Sequence, residues 1–289
     1  MKRLLPVICA ALALCGCRKP LSDRLAALEM RPAEVSETRL VLTSPQYRVV
    51  LRRDSAVAMV NGVAVQLPSP ATCEKGSRWD LPENAIRRVL APVLDRSAHP
   101  VRVILVDPGH GGHDKGTVAA SGVAEKDLNL ALAGELASAL RAAGFVVRMT
   151  REDDVFIPLD RRASAAPADL FISVHHNSAA NKAASGMETF VLLAENPAEE
   201  AGPAAALHLA FLIQKERGRV PGLPDRGVRT ARFKVLRLAP MPAILVEAGF
   251  LSNPAEAARC SDREHRRLLA AAIARAVVSW RDGGISSVR

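Results

Sequence analysis

The chain has few aromatic residues and no cluster of basic residues interleaved with them. Phe, Trp and Tyr make up only 3% of its 289 residues, although the formal net charge is +9. Nucleic-acid binding usually relies on a basic patch combined with aromatic side chains, so we expect no nucleic-acid partner. The positive charge suits other anionic partners, such as lipid headgroups or carboxylate-rich polymers, or it reflects arginines on a solvated surface.

The chain also has too few cysteines for a disulfide framework. Three of the five, Cys9, Cys15 and Cys17, lie close to the N-terminus, which leaves Cys73 and Cys260 in different regions of the sequence. An exported protein could join these two by a disulfide bond, whereas two buried free thiols are the simpler interpretation.

The apolar run at the N-terminus is too short to span a membrane. A basic start, M-K-R, precedes apolar residues 4–16, a pattern typical of a signal peptide. The stretch L-C-G-C resembles a bacterial lipobox, so we expect a lipoprotein signal over residues 1–16 and acylation of Cys17; an ordinary cleaved signal is the alternative. The protein is then exported and lipid-anchored in the cell envelope, facing the periplasm. Because Arg18 rather than Asp follows the cysteine, the outer membrane is expected if the source has two membranes.

The rest of the chain divides into three parts. Residues 17–44 are charged and mixed, and predict a tether. Residues 45–96 predict a small β-rich module, in which two apolar segments flank Asn61-Gly62, a preferred pair for a type I′ hairpin turn. This module resembles the small domain first seen at the N-terminus of copper amine oxidases. Residues 98–289 predict the main domain.

Alternating strands and helices predict an α/β fold for the main domain. Buried strands are predicted to end at Val106, Val174 and Val246. Leucines spaced four residues apart between 128 and 140 predict a helix, and we expect Asp127 to cap it. This alternation favours a mostly parallel sheet with helices on both faces.

Side chains that can bind a metal follow three of these strands. His110 lies in a Gly-rich loop after the first strand, and His175 and His176 follow the third. Glu247 ends the last buried strand, and Glu125 lies in the loop after the first. Each residue alone has an ordinary interpretation, as a surface histidine or a glutamate near a helix start. Because the carboxyl ends of parallel strands meet at one edge of a sheet, we expect them to lie together.

This set of residues fits a catalytic zinc site. Zinc binds His nitrogen and carboxylate oxygen, and catalytic sites keep three protein ligands and an open position, where water becomes hydroxide near neutral pH. A further carboxylate takes the proton and returns it to the leaving amine. His110, Glu125 and His175 can therefore be the ligands of one Zn²⁺, and Glu247 can be the catalytic base. No G-x-G-x-x-G or Walker sequence is present, so phosphate binding is not indicated.

Five motifs, in order, resemble those of the zinc-dependent N-acetylmuramoyl-L-alanine amidases of the AmiC-like type, amidase type 3. They are V-D-P-G-H-G-G over 106–112, E-K over 125–126, S-V-H over 173–175, D-R-G-V-R over 225–229 and V-E-A-G-F-L-S-N over 246–253. The resemblance implies the same three zinc ligands and the same catalytic glutamate. It also implies cleavage of the amide bond between N-acetylmuramic acid and the L-alanine that begins the peptidoglycan stem peptide.

The sequence departs from the family pattern at His176, where the family usually has Ala. Neighbouring residues on a strand point to opposite faces, so only one of the two histidines can face the metal, and the S-V-H frame favours His175. His113 is expected to support the site indirectly or to lie on the surface. Arg229 is expected to hold a stem-peptide carboxylate, or else to lie in solvent.

The expected function is peptidoglycan hydrolysis in cell-wall remodelling or daughter-cell separation. A zinc peptidase that cuts within the stem peptide and an inactive wall-binding module are the alternatives. The expected partners are peptidoglycan and, through the N-terminal lipid, a membrane. Residues 178–224 leave only short connections around one strand and one helix, so we expect an open site that needs no obligatory activator.

Overall fold

The structure, a computed structural model, describes residues 20–195 and 201–283. The expected signal peptide and the expected acylation site, Cys17, lie outside these residues. In the two described ranges, no helix has the length and apolar character that crossing a membrane requires.

The N-terminal part is an antiparallel meander with short helices. Its elements are α1 (Leu21–Ala26), β1 (Arg31–Val35), β2 (Arg39–Thr43), β3 (Arg48–Arg52), β4 (Ser55–Val60), β5 (Val63–Glu74), β6 (Arg78–Asp80), α2 (Glu83–Ala85), a π-helical turn (Ile86–Leu90) and α3 (Ala91–Leu94). The predicted hairpin is confirmed, because β4 pairs with β5 and the turn residues Asn61 and Gly62 have φ of +48° and +84°.

The prediction of a tether over residues 17–44 is wrong for most of its described part. Residues 21–43 contain α1, β1 and β2, and β2 pairs along its whole length with β3. Leu40 and Leu42 are buried in the main hydrophobic core. The run L-V-L within β2 was the local signal of a strand, but the charged residues around it masked that signal.

The remaining elements form the α/β part of the chain. They are β7 (Val103–Pro108), α4 (Glu125–Ala142), β8 (Val146–Met149), α5 (Leu159–Arg162), β9 (Leu170–Asn177), β10 (Met187–Val191), α6 (Ala201–Arg217), β11 (Asp225–Thr230), α7 (Lys234–Arg237), β12 (Ala243–Phe250), α8 (Pro254–Ser261) and α9 (Arg263–Arg281). Strands β8, β7, β9 and β12 are neighbours and run parallel. Strand β10 is antiparallel to β12, and β11 is parallel to β10, so the sheet is mixed with a parallel centre.

One continuous sheet of twelve strands crosses the predicted boundary between module and main domain. Its order is β1-β2-β3-β4-β5-β11-β10-β12-β9-β7-β8, with β6 paired to β5. The junction is the parallel pair β5–β11, where Val65 lies opposite Val228. Gly227 permits this close approach, because a Cβ at its position would lie 2.3 Å from the carbonyl oxygen of Ala64. The β-rich segment is therefore an extension of the sheet of the main domain.

The two faces of the α/β sheet are covered unequally. The larger hydrophobic core includes residues of α4, α6 and α9, and it receives Ile172 and Val174 from β9. A smaller core under α5 and α7 includes Phe171 of β9 and Leu245 of β12. Because side chains alternate along a strand, His175 and His176 at the end of β9 belong to opposite faces.

Cys73 and Cys260 are both free thiols. Cys260 is buried, and burial together with the nearby Glu256 charge raises the pKa of its thiol to about 12. Cys73 is only half-buried. The expectation of two buried free thiols is therefore confirmed for Cys260 and is wrong for the burial of Cys73.

Candidate metal centre and active site

His110 directly follows β7 in the Gly-rich loop. Its backbone φ is +60°, in the left-handed region that residues with a Cβ rarely adopt. Gly111 has φ of +130°, and a Cβ there would lie 2.1 Å from the carbonyl oxygen of Val155. The loop therefore makes a tight turn against a neighbouring segment, and this turn places the His110 ring beside Glu125.

Glu125 is the first residue of α4, and Ala124 is its N-cap. The prediction that Asp127 caps this helix is wrong, because the helix begins two residues earlier and Asp127 lies in its first turn. The Glu125 carboxylate is buried at the positive end of the helix dipole, which favours its charged form. The backbone N–H of Thr117 donates to Oε2 at 3.0 Å, and that of His176 donates to Oε1 at 3.2 Å.

The structure brings His110, Glu125 and His175 together. Glu125 Oε1 lies 3.2 Å from His110 Nε2 and 3.0 Å from His175 Nδ1. One ligand atom from each of the three residues lies within 4.8 Å of the others, so the group can hold a metal ion. Both rings are partly exposed, with 23% and 20% of the side-chain surface accessible. Solvent can therefore reach the cluster.

Glycine leaves the space that this cluster needs. A Cβ at Gly109 would lie 2.1 Å from His175 Nε2, and one at Gly116 would lie 2.5 Å from Glu125 Oε2. A pair of imidazoles with one carboxylate is also the donor set of a three-ligand catalytic zinc site. The residues present therefore fit the predicted metal in both space and chemistry.

Asp114 orients the first histidine, and sequence reasoning missed it. Asp114 Oδ2 lies 2.8 Å from His110 Nδ1, which leaves Nε2 of the same ring for a metal. Burial alone would lower the pKa of His110, but hydrogen bonds and negative charge from Glu125 and Asp114 raise it to about 9. A carboxylate four residues after a loop histidine was the signal that could have identified this residue.

The negative charge of Glu125 makes the same cluster favourable for binding a cation. Burial would raise the pKa of Glu125, but hydrogen bonds and charge from His110 and His175 hold it well below its ordinary value. A carboxylate that keeps its negative charge between two imidazole rings is suited to binding a cation, for which the imidazole nitrogens must be deprotonated.

His176 lies on the opposite side of β9 from the cluster. Its side chain is buried, its Nδ1 lies 2.7 Å from Asn129 Oδ1 on α4, and burial lowers its pKa to about 4. The ring is therefore neutral at ordinary pH and packs between strand and helix. As the S-V-H frame indicated, the structure places His175 and not His176 at the cluster.

Glu247 lies in β12, directly opposite His175 on one neighbouring strand and Glu188 on the other. Burial, together with the charges of Glu125 and Glu188, raises its pKa to about 7 despite the opposing effect of the histidines. Within residues 20–195 and 201–283, its buried Oε2 has no hydrogen-bond partner. A carboxyl group with this pKa beside a metal cluster is suited to exchange protons near neutral pH.

The two residues predicted with less definite roles lie at the edge of the site. His113 is exposed and packs against the ring of Phe156, at 4.3 Å between centroids, so it is a surface residue. Arg229 lies in β11 with 41% of its side chain exposed, and its Nε is 2.7 Å from Glu188 Oε2. Arg229 is thus neither free in solvent nor in contact with the metal cluster.

Two buried arginines hold the loop that carries His110, and the sequence did not reveal them. Arg162 Nη1 donates to Asp107 Oδ1, and its Nη2 donates to the carbonyl oxygen of His110, both at 2.9 Å. Arg151 Nη2 donates to the carbonyl oxygen of Gly109, also at 2.9 Å. Arginine is usually exposed, so no sequence pattern marks a buried one.

Comparison with known proteins identifies relatives of the main domain. Residues 104–279 match the protein family described as N-acetylmuramoyl-L-alanine amidase. The N-acetylmuramoyl-L-alanine amidase LytC of Bacillus subtilis is 33% identical over 197 residues, which cover 66% of this chain and 38% of LytC. The N-acetylmuramoyl-L-alanine amidase AmiC of Neisseria meningitidis is 35% identical over 214 residues, covering 61% of this chain and 51% of AmiC. The chain thus spans about half or less of the length of these relatives.

Solved structures of similar proteins share the fold of this region. The catalytic domain of CwlV, an N-acetylmuramoyl-L-alanine amidase from Paenibacillus polymyxa, superposes with a TM-score of 0.57 at 34% identity, covering 63% of this chain and 99% of that domain. The CwlD amidase of Clostridioides difficile, solved in complex with the GerS lipoprotein, gives 0.56 at 26% identity, covering 62% and 98%. The likeness therefore extends over these whole catalytic domains.

Proposed function

Because the chain belongs to the N-acetylmuramoyl-L-alanine amidase family, we propose that it hydrolyses the amide bond between N-acetylmuramic acid and L-alanine in peptidoglycan. The observation that carries this proposal is the cluster of His110, Glu125 and His175, with Glu247 directly opposite His175 on the neighbouring strand. All four residues lie within the segment that matches the family. The biological setting is cell-wall remodelling or daughter-cell separation.

Zinc is the metal that this donor set favours, with His110, Glu125 and His175 as its protein ligands. When bound, it supplies a Lewis acid that polarises the amide carbonyl and acidifies water. Glu247 accepts a proton from the attacking water and returns it to the nitrogen of the departing L-alanine. Its unpartnered Oε2 and its pKa of about 7 suit both halves of that transfer.

We also propose that the active site is open without an activator. The cluster is partly exposed, and α6, the long helix between His176 and the last motif, packs against α9 on the larger face of the sheet. Helix α6 therefore lies on the opposite face of the sheet from His175. The proposal also includes export with a lipid on Cys17, anchoring in the envelope and, in a source with two membranes, the outer one. This part is supported by the N-terminal sequence alone.

Product analysis tests the reaction. The zinc-loaded mature chain, in detergent and without any second protein, is incubated with purified sacculi, and soluble products are identified by mass spectrometry. We expect intact stem peptides with a free L-alanine amino group, and no such product from Glu247→Gln. Fragments cut within the stem would instead identify a peptidase. Binding to sacculi without any product, from a folded and zinc-loaded protein, would identify an inactive wall-binding module or a requirement for a partner.

Radiolabelled palmitate tests the anchor separately. Label should enter the wild-type protein in cells and should not enter Cys17→Ala. Equal labelling of the two, or complete release of the wild type in soluble form, would contradict lipidation at Cys17.

A further inference from the structure

Two arginines of β11 share one buried carboxylate near the candidate active site. Glu188 Oε2 lies 3.1 Å from Arg226 Nε and 2.7 Å from Arg229 Nε. Only 5% of the Glu188 side chain is exposed, compared with 32% for Arg226 and 41% for Arg229. A ligand can therefore reach the guanidinium groups but cannot reach the carboxylate that holds them.

Further contacts hold the Glu188 carboxylate and the Arg226 guanidinium group in place. Asn177 Nδ2 donates to Glu188 Oε1 at 2.7 Å, so both oxygens of the carboxylate are engaged. The guanidinium carbon of Arg226 lies 4.6 Å from the centre of the Phe250 ring, which is buried. Such contacts restrict the side chains before any ligand arrives, and a restricted binding group loses less entropy on binding.

The charges in this group do not balance. Two guanidinium groups pair with one carboxylate, and within residues 20–195 and 201–283 neither arginine forms a second ion pair. Among the residues that the structure describes, the terminal nitrogens of Arg226 and Arg229 have no hydrogen-bond partner. Guanidinium groups bind carboxylates through paired N–H donors, so a ligand carboxylate would complete both the charge and the hydrogen bonding.

The position of the arginines matches a nearby part of the substrate. Glu188 lies opposite Glu247 across the β10–β12 pair, and β11 is the next strand beyond β10. Both guanidinium groups contact Glu188, whose backbone lies one strand spacing, about 4.8 Å, from that of Glu247. An extended peptide advances about 3.5 Å per residue, so the residue after the scissile L-alanine is the first that can approach this distance.

We propose that Arg226 and Arg229 form a subsite for the carboxylate of the stem residue that follows L-alanine, with Glu188 as the residue that positions both arginines. This inference rests on the proposed amidase function. The subsite selects a carboxylate over a carboxamide, because a carboxamide lacks the negative charge and presents an N–H₂ group to the guanidinium donors.

The test uses two synthetic muramoyl peptides that differ only in a carboxylate or a carboxamide on the second stem residue. The zinc-loaded full chain should favour the carboxylate substrate by about 10- to 100-fold in kcat/KM, the range for hydrogen bonds to charged groups. Arg229→Gln and Arg226→Gln should each reduce that preference by raising KM for the carboxylate substrate, with kcat and the carboxamide substrate little changed. Arg237→Gln, an exposed arginine of α7, is the matched control and should keep the full preference.

Glu188→Gln separates positioning from folding. It should reduce the preference in the same direction as the arginine variants, and Glu188→Asp should restore part of it, with both variants keeping wild-type zinc content. A loss of activity that is equal for the two substrates would indicate a structural role only and would contradict the positioning assignment.

Binding measurements on an inactive variant test the subsite independently of the proposed reaction. Zinc-loaded Glu247→Gln is titrated with each peptide by calorimetry, so that affinity is read without turnover. Equal affinity for the two peptides would overturn the subsite while leaving the amidase function intact. Preference for the carboxylate peptide without cleavage by the wild type would support the subsite and contradict the proposed reaction.

Discussion

Two neighbouring histidines of β9 lie on opposite faces of the central sheet, and their burial and contacts differ. On the side of the small core, His175 is partly exposed and contacts Glu125, in reach of a metal. On the side of the large core, His176 is buried against α4, and burial lowers its pKa to about 4. The comparison shows that the face of the strand on which an imidazole lies, and how deeply that face is buried, decide whether it is placed as a ligand or as a packing group.

Exchanging each histidine for alanine should give the largest contrast. His175→Ala removes one of the proposed zinc ligands, so we expect loss of tightly bound zinc and of amidase activity. His176→Ala should keep its zinc and lower the free energy of unfolding by roughly 1–3 kcal/mol, because Asn129 loses its buried partner. Metal analysis and thermal unfolding of both variants measure this difference. Zinc loss in His176→Ala with retention in His175→Ala would reverse the assignment.

Glu247→Gln, on the same face as His175, should lower the rate of the reaction without changing metal binding. The amide occupies the same space but cannot accept a proton, so kcat should fall roughly 10²- to 10⁴-fold while zinc content is unchanged. Steady-state kinetics on muramoyl peptides, with metal analysis of the same samples, measure both quantities. Near wild-type turnover would remove Glu247 from the mechanism.

The same substitution should stabilise the metal-free protein above neutral pH. Burial raises the pKa of Glu247 to about 7 from 4.5, so its contribution to stability is present below pH 4.5 and is lost as pH rises through 7. At 1.4 kcal/mol per unit, Glu247→Gln should gain up to roughly 3 kcal/mol at pH 8 and nothing near pH 4. Denaturant unfolding of the two proteins after chelation measures the gain. Identical stabilities at pH 8 would show that the fold carries no electrostatic strain at this residue.

The smallest expected effect concerns the support of His110. Asp114→Asn weakens the hydrogen bond to Nδ1, so zinc affinity should fall roughly 10- to 100-fold with little change in unfolding. Asp127→Asn, an exposed residue in the first turn of α4, is the matched control and should bind zinc like the wild type. Competition with a zinc chelator measures both affinities, and equal values for the two variants would remove Asp114 from the support of the metal site.

The elements that the sequence predicted are those whose signals are local. Asn61-Gly62 predicted the hairpin because the turn needs two residues with positive φ, and both have it. Apolar runs predicted the central strands, and alternation along a strand placed His175 and His176 on opposite faces. The order of the motifs indicated the family, which residues 104–279 match.

The tertiary structure decided what depends on residues far apart in the chain. The sequence could not show that β5 pairs with β11, since this junction joins Val65 to Val228. Nor could it show that Arg162 holds the carbonyl oxygen of His110, or that Glu188 engages Arg229. The physical reason is that a side chain's partner, burial and pKa are set by whichever element packs beside it. Sequence periodicity specifies only the face that a residue occupies on its own strand or helix.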